Sequence, residues 1–259
     1  MPLSNILDTI IHADCYEVLR GLGDKSVDLV LTDPPYGINV AASSKVGGNN
    51  LAAATNYGAV KWDSAIPDDH LFNELRRVSK NQIVWGGNYF AAALGNSPAW
   101  LVWDKLRTGN FADCELAWTS FGFAVRRFSW LWNGMLQQNM GAFKEHRYHP
   151  TQKPVPLFNW CLKLCSKPGD VVLDPFAGSG TTALACHALG RHFICVEREL
   201  EYVNIARNRL RDAQAQLSLF GGRENGTGGG SENSAQQLKG NMPAESVEVN
   251  LFDAGTSPV

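Results

Sequence analysis

The feature that most constrains the fold is the alternation of short apolar runs with helical patterns between residue 1 and about residue 220. Apolar, β-branched runs predict strands near 27–32, 82–86, 99–104, 114–120, 170–174 and 193–197. Apolar residues at helical spacing predict helices near 67–80, 89–95, 155–166, 180–189 and 199–215. Strands interleaved with helices favour an α/β fold, in which helices cover both faces of a mostly parallel, doubly wound sheet.

Composition divides the chain into a body and a polar tail. The 259 residues are 44% apolar, which is enough for one large core. After Phe220 the composition shifts to Gly, Ser, Asn and Gln, so we predict one domain at 1–220 and a flexible tail at 221–259 that cannot fold alone. The glycine-rich segment 37–60 is predicted to be a long loop, and residues 122–150 an insert that interrupts the alternation.

Charge and cysteine content exclude several classes of protein. The formal net charge is −2, and the acidic excess lies in the tail, so a DNA-binding surface on the nearly neutral body must be a local patch. The six cysteines form no CxxC pair, which indicates a reducing compartment and gives no metal site. Residues 1–15 lack the basic flank and long apolar stretch of a signal peptide or membrane span. We therefore expect a cytoplasmic protein without a metal ion or membrane association.

In the stretch VDLVLTDPPYGI, residues 27–38, a buried strand runs directly into an acid, two prolines and an aromatic. Pro34 and Pro35 must end the strand, because neither can donate a backbone hydrogen bond. Asp33 and Tyr36 are therefore held on a stiff turn. Taken alone, this pattern fits a turn cap with a packed tyrosine as well as it fits a functional site.

A second motif places glycines between a strand and a helix. In GDVVLDPFAGSGTT, a strand ending at Asp174 leads into Gly178-Ser179-Gly180, and Glu197 ends the following strand. Such glycines let a ligand approach the backbone, and a strand-end acid can accept hydrogen bonds from ribose hydroxyls. No lysine follows the glycines, which excludes a Walker phosphate loop. A dinucleotide site and a purely structural tight turn remain alternatives.

These two motifs and the segment HPTQKP, residues 149–154, resemble those of amino-group DNA methyltransferases. DPPY resembles the catalytic tetrapeptide of that family, DPFAGSGTT its S-adenosylmethionine loop, and HPTQKP the segment that precedes the loop. The tetrapeptide comes first and the cofactor loop last, which is the circularly permuted, β-class order. The resemblance covers about residues 10–215 and implies a Rossmann-like class I methyltransferase fold, S-adenosyl-L-methionine as cofactor and double-stranded DNA as substrate.

The resemblance also implies a role for each motif residue. Asp33 and the Pro34 carbonyl would accept hydrogen bonds from the target amino group on a turn stiffened by Pro35, and Tyr36 would stack on a base flipped out of the duplex. The residues expected to bind the cofactor are Asp14 on the adenine side, Glu197 at the ribose, Asp174, Phe176, Ala177, Gly178, Ser179 and Gly180 along the methionine, and Thr181, Thr182 and Lys153 near its carboxylate.

The choice of target base also follows from the resemblance. A leading Asp in the tetrapeptide is commoner in the family with adenine N6, so adenine is favoured and cytosine N4 is the alternative. Methylation of RNA or of a protein glutamine also stays open, although the glutamine enzymes place their cofactor loop first. From another class, a non-catalytic DNA-binding or clamp-binding protein of the same fold is possible.

Recognition of the DNA sequence is expected from residues 122–148, together with the loop at 37–60. Arg126, Arg127 and Arg147 would contact phosphates or guanine edges. The aromatic residues of the same segment are expected to form a small core that holds it. The sequence does not distinguish a monomer from a homodimer.

The pentapeptide QLSLF, residues 216–220, resembles the peptide with which bacterial replication proteins dock into the sliding clamp. The resemblance implies an extended peptide with Leu219 and Phe220 in an apolar pocket of the clamp and Gln216 at its rim. Alternatively, Leu217, Leu219 and Phe220 pack the end of the last helix onto the body.

Overall fold

The computed structural model describes residues 2–37, 45–46, 55–56, 67–106, 112–133, 136–141, 144–148 and 151–221, and the described residues up to Ser218 belong to one compact unit. The strands are β1 (Thr9–His12), β2 (Val27–Thr32), β3 (Lys45–Val46), β4 (Thr55–Asn56), β5 (Ser79–Trp85), β6 (Trp100–Asp104), β7 (Cys114–Thr119), β8 (Arg126–Ser129), β9 (Trp132–Asn133), β10 (Leu136–Gln137), β11 (Val171–Asp174) and β12 (His192–Glu197). The helices are α1 (Cys15–Gly21), α2 (Asp69–Val78), α3 (Ala91–Leu94), α4 (Val155–Cys165), α5 (Thr181–Leu189) and α6 (Leu200–Gly221), and one 3-10 turn spans Leu3–Asn5.

Eight strands form the main sheet in the order β1-β12-β11-β2-β5-β7-β6-β8. All neighbouring pairs are parallel except the two that β7 makes, with β5 and with β6. The pairs β3–β4 and β9–β10 are separate two-stranded antiparallel ribbons. The predicted α/β fold with a mostly parallel sheet is therefore confirmed.

Helices cover both faces of this sheet. Alternate side chains of β2 point to opposite faces, so that Leu29 and Leu31 join one apolar cluster while Val30 joins the other. The first cluster contains residues of α4, α5 and α6, and the second contains residues of α1, α2 and α3. Burial on both faces explains why the parallel strands read as continuous apolar runs in the sequence.

The sequence missed β1 and misjudged two boundaries. β1 escaped because only Ile10 of its four residues is buried, which leaves no apolar run to detect. Residues 126–129, assigned to the insert, form the edge strand β8 beside β6, with Phe128 turned toward the core and Ser129 outward. Helix α6 continues to Gly221, past the predicted end at 215.

Part of the segment 122–150 does form a small aromatic core, as the sequence suggested. Phe128 stacks on Trp130 with ring centroids 5.8 Å apart and on Trp160 of α4 at 5.4 Å. Trp132 is buried, and its indole N–H donates to the Gln152 carbonyl at 3.0 Å. Among the described residues, no helix is both long and apolar enough to cross a membrane.

Candidate active site

The site lies where the parallel strands of the main sheet end. Because carboxyl ends of parallel strands share one edge, the residues at the ends of β1, β12, β11 and β2 are neighbours there. This edge brings Asp14, Glu197, Asp174 and Asp33 together although they are far apart in the chain. The strand order thus accounts for the clustering of acids that the sequence could only place separately.

At the end of β2, Asp33 is held from two sides. The Tyr36 hydroxyl donates to Asp33 Oδ1 at 2.5 Å, and the Lys153 ammonium donates to Asp33 Oδ2 at 2.5 Å. Burial raises the pKa of Asp33, and Glu115 raises it further, while Lys153 and Tyr36 act in the opposite direction. Burial and the neighbouring carboxylates hold the pKa of Tyr36 well above its ordinary value, so its hydroxyl stays a donor.

The Tyr36 ring is fixed by its packing. It stacks on Tyr89, with ring centroids 4.8 Å apart and 18° between the planes, and meets Phe90 edge-on at 6.0 Å. A Cβ on Gly86 would lie 2.1 Å from Tyr36 Cε1, so only glycine leaves room for the ring there. Gly86 also has φ +69°, in the left-handed region that favours glycine.

The glycine loop after β11 is organised by a buried acid. Asp174 accepts hydrogen bonds from Thr32 Oγ1 at 2.9 Å, from the Phe176 N–H at 3.1 Å and from the Thr182 hydroxyl. Burial raises the pKa of Asp174 to about 6. The loop that follows ends at Gly180, which has φ +83° and whose missing Cβ lets Ala206 of α6 pack against it.

Glu197, at the end of β12, closes the loop from the other side. Its Oε2 accepts from the Gly178 N–H at 2.9 Å and its Oε1 accepts from the Glu199 N–H at 2.7 Å. Burial raises the pKa of Glu197. Each carboxylate oxygen retains a further lone pair with which it can accept a ligand hydroxyl.

One cavity connects these parts. Its wall includes Asp33 and Pro35 from the proline turn, the glycine loop, Glu197 from β12, and Asp14, which also caps α1 by accepting from the Tyr16 N–H at 2.9 Å. The sequence predicted a catalytic turn at Asp33–Tyr36 and a cofactor site. The predicted residues that line the cavity are Asp14, Asp33, Pro35, Lys153, Asp174, Phe176, Ala177, Gly178, Ser179, Thr181, Thr182 and Glu197.

Gln152 and Glu145, both in the segment before α4, connect the glycine loop to α6. Gln152, which the sequence analysis did not single out, accepts at Oε1 from Ser179 Oγ at 3.1 Å and donates to Glu145 at 2.9 Å. Arg209 of α6 pairs with the same Glu145 at 2.9 Å and donates to the Ser179 carbonyl at 2.7 Å. The glycine loop is therefore held on one side by the segment that precedes α4 and on the other side by α6.

The Lys153 ammonium has three close neighbours in the protein. It lies 2.5 Å from Asp33 Oδ2, 3.2 Å from the Tyr36 hydroxyl and 3.1 Å from Glu115 Oε2 of β7. Lys105 pairs with the other oxygen of Glu115 at 2.5 Å. The expected contact of Lys153 with a methionine carboxylate stays a prediction, while the structure places its ammonium beside Asp33 and Tyr36. Glu115 and Lys105 were missed, since single charged residues near strand ends carry no motif.

The three arginines expected at DNA are in unlike settings. Arg127 is 70% exposed and reaches toward Asp104, at 3.8 Å, at the carboxyl end of β6. Arg126 is half-buried at the amino end of β8, away from the cavity edge. The Arg147 guanidinium lies 5.9 Å from the Trp132 ring centroid. His149 and most of the segment 37–60 are outside the described residues.

Known proteins share this fold. PvuII DNA methyltransferase, described as cytosine-N4-specific, superposes with a TM-score of 0.50 at 16% identity, covering 81% of this chain and 92% of that one. The chain therefore has the class I methyltransferase fold. Such a likeness shows the architecture alone and says nothing of the target base.

Comparison of sequences finds similar proteins among the DNA methyltransferases. Residues 116–208 match the family model N6_N4_Mtase, described as DNA methylase. The type II methyltransferase M.HinfI of Haemophilus influenzae is 28% identical over 253 residues, which cover 81% of this chain and 70% of that protein. The type II methyltransferase M2.DpnII of Streptococcus pneumoniae is 27% identical over 241 residues, which cover 78% and 88%. The chain is therefore similar to N6/N4 amino-group DNA methyltransferases, with the family match confined to residues 116–208.

Proposed function

We propose that this protein transfers a methyl group from S-adenosyl-L-methionine to the exocyclic N6 of adenine in double-stranded DNA. The observation that supports the proposal most strongly is the shared cavity, in which Asp33 and Pro35 face the same space as the glycine loop and Glu197. A methyl donor held by the loop and an amino group held by the proline turn would meet there. The DNA methyltransferase relatives support the substrate class.

The residues present fit the cofactor. Glu197 has acceptor capacity left for ribose hydroxyls, and the backbone of the glycine loop is open to the cavity for the methionine part. Asp14 would take the adenine side. The Thr181 hydroxyl already donates to the Lys153 carbonyl at 3.2 Å, and the Thr182 hydroxyl donates to Asp174. Both threonines would therefore hold the loop in shape as well as bind the cofactor. The cofactor supplies a methyl group activated by attachment to a sulfonium sulfur.

Asp33 and the Pro34 carbonyl prepare the amino group. The lone pair of an exocyclic amine is delocalised into the ring, which makes it a poor nucleophile. Hydrogen bonds from its two N–H groups to Asp33 and to the Pro34 carbonyl favour a pyramidal nitrogen whose lone pair points at the methyl group. The Asp33 carboxylate also stabilises the positive charge that develops on nitrogen. Because the proline turn fixes both acceptors beforehand, little reorganisation is needed.

Tyr36 would stack on the flipped base, at about 1–3 kcal/mol for such a contact. One face of its ring is covered here by Tyr89, a residue that is 46% exposed, and Gly86 lies against the ring as well. The base must therefore take the place of Tyr89, which its exposed position allows.

The base and the target site can be read together in a host that lacks DNA methylation. The protein is expressed there, and the host DNA is sequenced with detection of modified bases. We expect N6-methyladenine in one short sequence context and none from the Asp33→Ala variant. Detection of N4-methylcytosine instead would show that cytosine, the alternative, is the target base. Unmodified DNA, although the protein is expressed and folded, would favour a non-catalytic DNA-binding protein.

We further propose that residues 216–220 dock into the sliding clamp and keep methylation behind the replication fork. Gln216 is exposed, and the side chains of Leu217, Leu219 and Phe220 lie outside the described residues. Because α6 runs to Gly221, docking as an extended peptide requires its last turns to unwind, which a helix end does at low cost. A clamp pull-down checks this proposal. Equal capture of wild type and the Leu219→Ala/Phe220→Ala variant would exclude it.

A further inference from the structure

Four charged groups meet at the catalytic turn, and two of them belong to elements that carry no recognised motif. The Lys153 ammonium lies between Asp33, at 2.5 Å, and Glu115, at 3.1 Å, and Lys105 pairs with the far oxygen of Glu115 at 2.5 Å. Lys153 is only 6% exposed, and the side chains of Asp33 and Glu115 are 18% and 22% exposed. The two carboxylates and two ammonium groups balance to zero.

Such a cluster controls which form of Asp33 exists. Burial favours the neutral acid, while an ammonium within hydrogen-bonding distance favours the carboxylate. Burial also opposes the charges of Glu115 and Lys153, yet Lys153 and Lys105 lower the pKa of Glu115, and Asp33 and Glu115 raise the pKa of Lys153. Lys153 is therefore a fixed cation. The titratable groups that face Asp33 are Lys153 from the segment before α4, Glu115 from β7, Tyr36 from its own turn and Asp174 from β11.

We propose that Lys153 and Glu115 are positioning residues for Asp33, Lys153 keeping it an acceptor-only carboxylate and Glu115 holding the Lys153 ammonium on its Oδ2 side. This inference rests on the proposed function, in which Asp33 must accept a hydrogen bond from the target amino group. The ammonium and the Tyr36 hydroxyl take one lone pair on each Asp33 oxygen, so acceptor positions remain for that amino group. A protonated Asp33 would instead present an O–H to it.

The two residues have opposite effects on Asp33, and the test uses that difference. Without the ammonium, Lys153→Met leaves two close carboxylates, so the acid limb of the pH profile of kcat/KM is expected to move up by about 1–3 pH units. Activity lost near neutral pH returns as the pH rises. Glu115→Gln removes a negative charge that raises the pKa of Asp33, so the same limb is expected to move down. Lys153→Arg keeps the positive charge and should keep the limb close to its wild-type position.

A matched control lies in the same sheet. Lys80 and Asp28 form a pair at 2.6 Å near the amino ends of β5 and β2, away from the cavity. Lys80→Met therefore breaks a lysine–aspartate pair without changing the catalytic turn, and it should leave the acid limb of the pH profile in place. Unshifted limbs in both Lys153→Met and Glu115→Gln, or shifts of the same sign, would overturn the proposal.

A second readout does not depend on activity. The Asp33 carboxyl carbon is followed by ¹³C NMR in the full chain, with its resonance assigned by its absence from Asp33→Ala. Its titration should move up in Lys153→Met and down in Glu115→Gln. If the wild-type protein transfers no methyl group, the proposed function is contradicted. The NMR titration of Asp33 would still decide whether Lys153 and Glu115 set the charge of Asp33. Unmoved titrations would overturn the proposal even with an active enzyme.

Discussion

Asp33 is an acid whose surroundings, more than its position in the chain, decide its chemistry. Burial at the end of β2 opposes its charge, while a tyrosine hydroxyl and a lysine ammonium each bind one of its oxygens. The tyrosine is placed in turn by Gly86, because any Cβ there would run into its ring. Gly86, which does not contact substrate in this account, therefore controls the position of Tyr36, which does.

Gly86→Ala tests that dependence. The new Cβ would meet Tyr36 Cε1 at 2.1 Å on a backbone with φ +69°, so Tyr36 must shift. We expect a loss of about 2–4 kcal/mol in the free energy of unfolding and a fall in methyl transfer of roughly 100-fold. Gly190→Ala is the control, since Gly190 at the end of α5 has the same φ of +69° in the left-handed region and open space around it. Its cost should be about 1 kcal/mol, with unchanged transfer, and equal effects of the two variants on transfer would contradict the account.

At the scale of elements, the cofactor loop is a junction between β11, α5 and α6. Asp174 fixes its start through Thr32, Phe176 and Thr182, and Gly180 fixes its end by admitting Ala206 of α6. Helix α6 also reaches the loop through Arg209, which donates to the Ser179 carbonyl. The position of the loop thus depends on a helix that contributes little to the cavity wall itself.

Gly180→Ala is expected to push α6 from the loop. Its Cβ would lie 2.7 Å from the Ala206 Cβ, and its φ is +83°, so we expect a destabilisation of about 2–4 kcal/mol and weaker binding of S-adenosylmethionine. Gly169→Ala has the same φ in open space and should cost only about 1 kcal/mol. Adding Ala206→Gly to Gly180→Ala should recover about 1–2 kcal/mol in a double-mutant cycle. Strictly additive effects in chemical denaturation would show that the close contact is unimportant.

At the scale of the whole molecule, DNA must reach the edge of the sheet that carries the cavity. With a body that is nearly neutral, the positive charge for DNA has to be local. Arg127 extends toward the carboxyl end of β6 and is largely exposed, which suits a phosphate contact beside that edge. Arg20, in the last turn of α1, is exposed where that helix has run back toward the amino ends of the strands.

Replacing Arg127 should therefore weaken DNA binding in a way that depends on salt. We expect Arg127→Gln to lower the slope of log K against log salt concentration by about 1, because one phosphate contact is lost. Arg20→Gln removes the same charge from the opposite edge and should leave the slope unchanged. Fluorescence anisotropy across a salt series measures both variants, and indistinguishable slopes would remove Arg127 from the DNA surface.

The sequence predicted those parts of the site that are written as contiguous motifs. Asp33 with its prolines, and the loop from Asp174 to Gly180, could be recognised because strand, turn and helix follow one another along the chain. Glu115 and Lys105 could not, since each is an isolated charge that the pairing of β6 with β7 brings to the catalytic turn. Lys153 was predicted to bind the cofactor, and only the fold reveals that it neighbours Asp33.

The most direct measurement follows a labelled methyl group from S-adenosylmethionine into unmethylated duplex DNA, for wild type and Asp33→Ala side by side. Wild type should incorporate the label as N6-methyladenine. The variant should still bind the cofactor, because the glycine loop and Glu197 are intact, but transfer at least about 100-fold more slowly. Equal transfer by the two proteins, or cofactor binding without transfer to any DNA by wild type, would contradict the account.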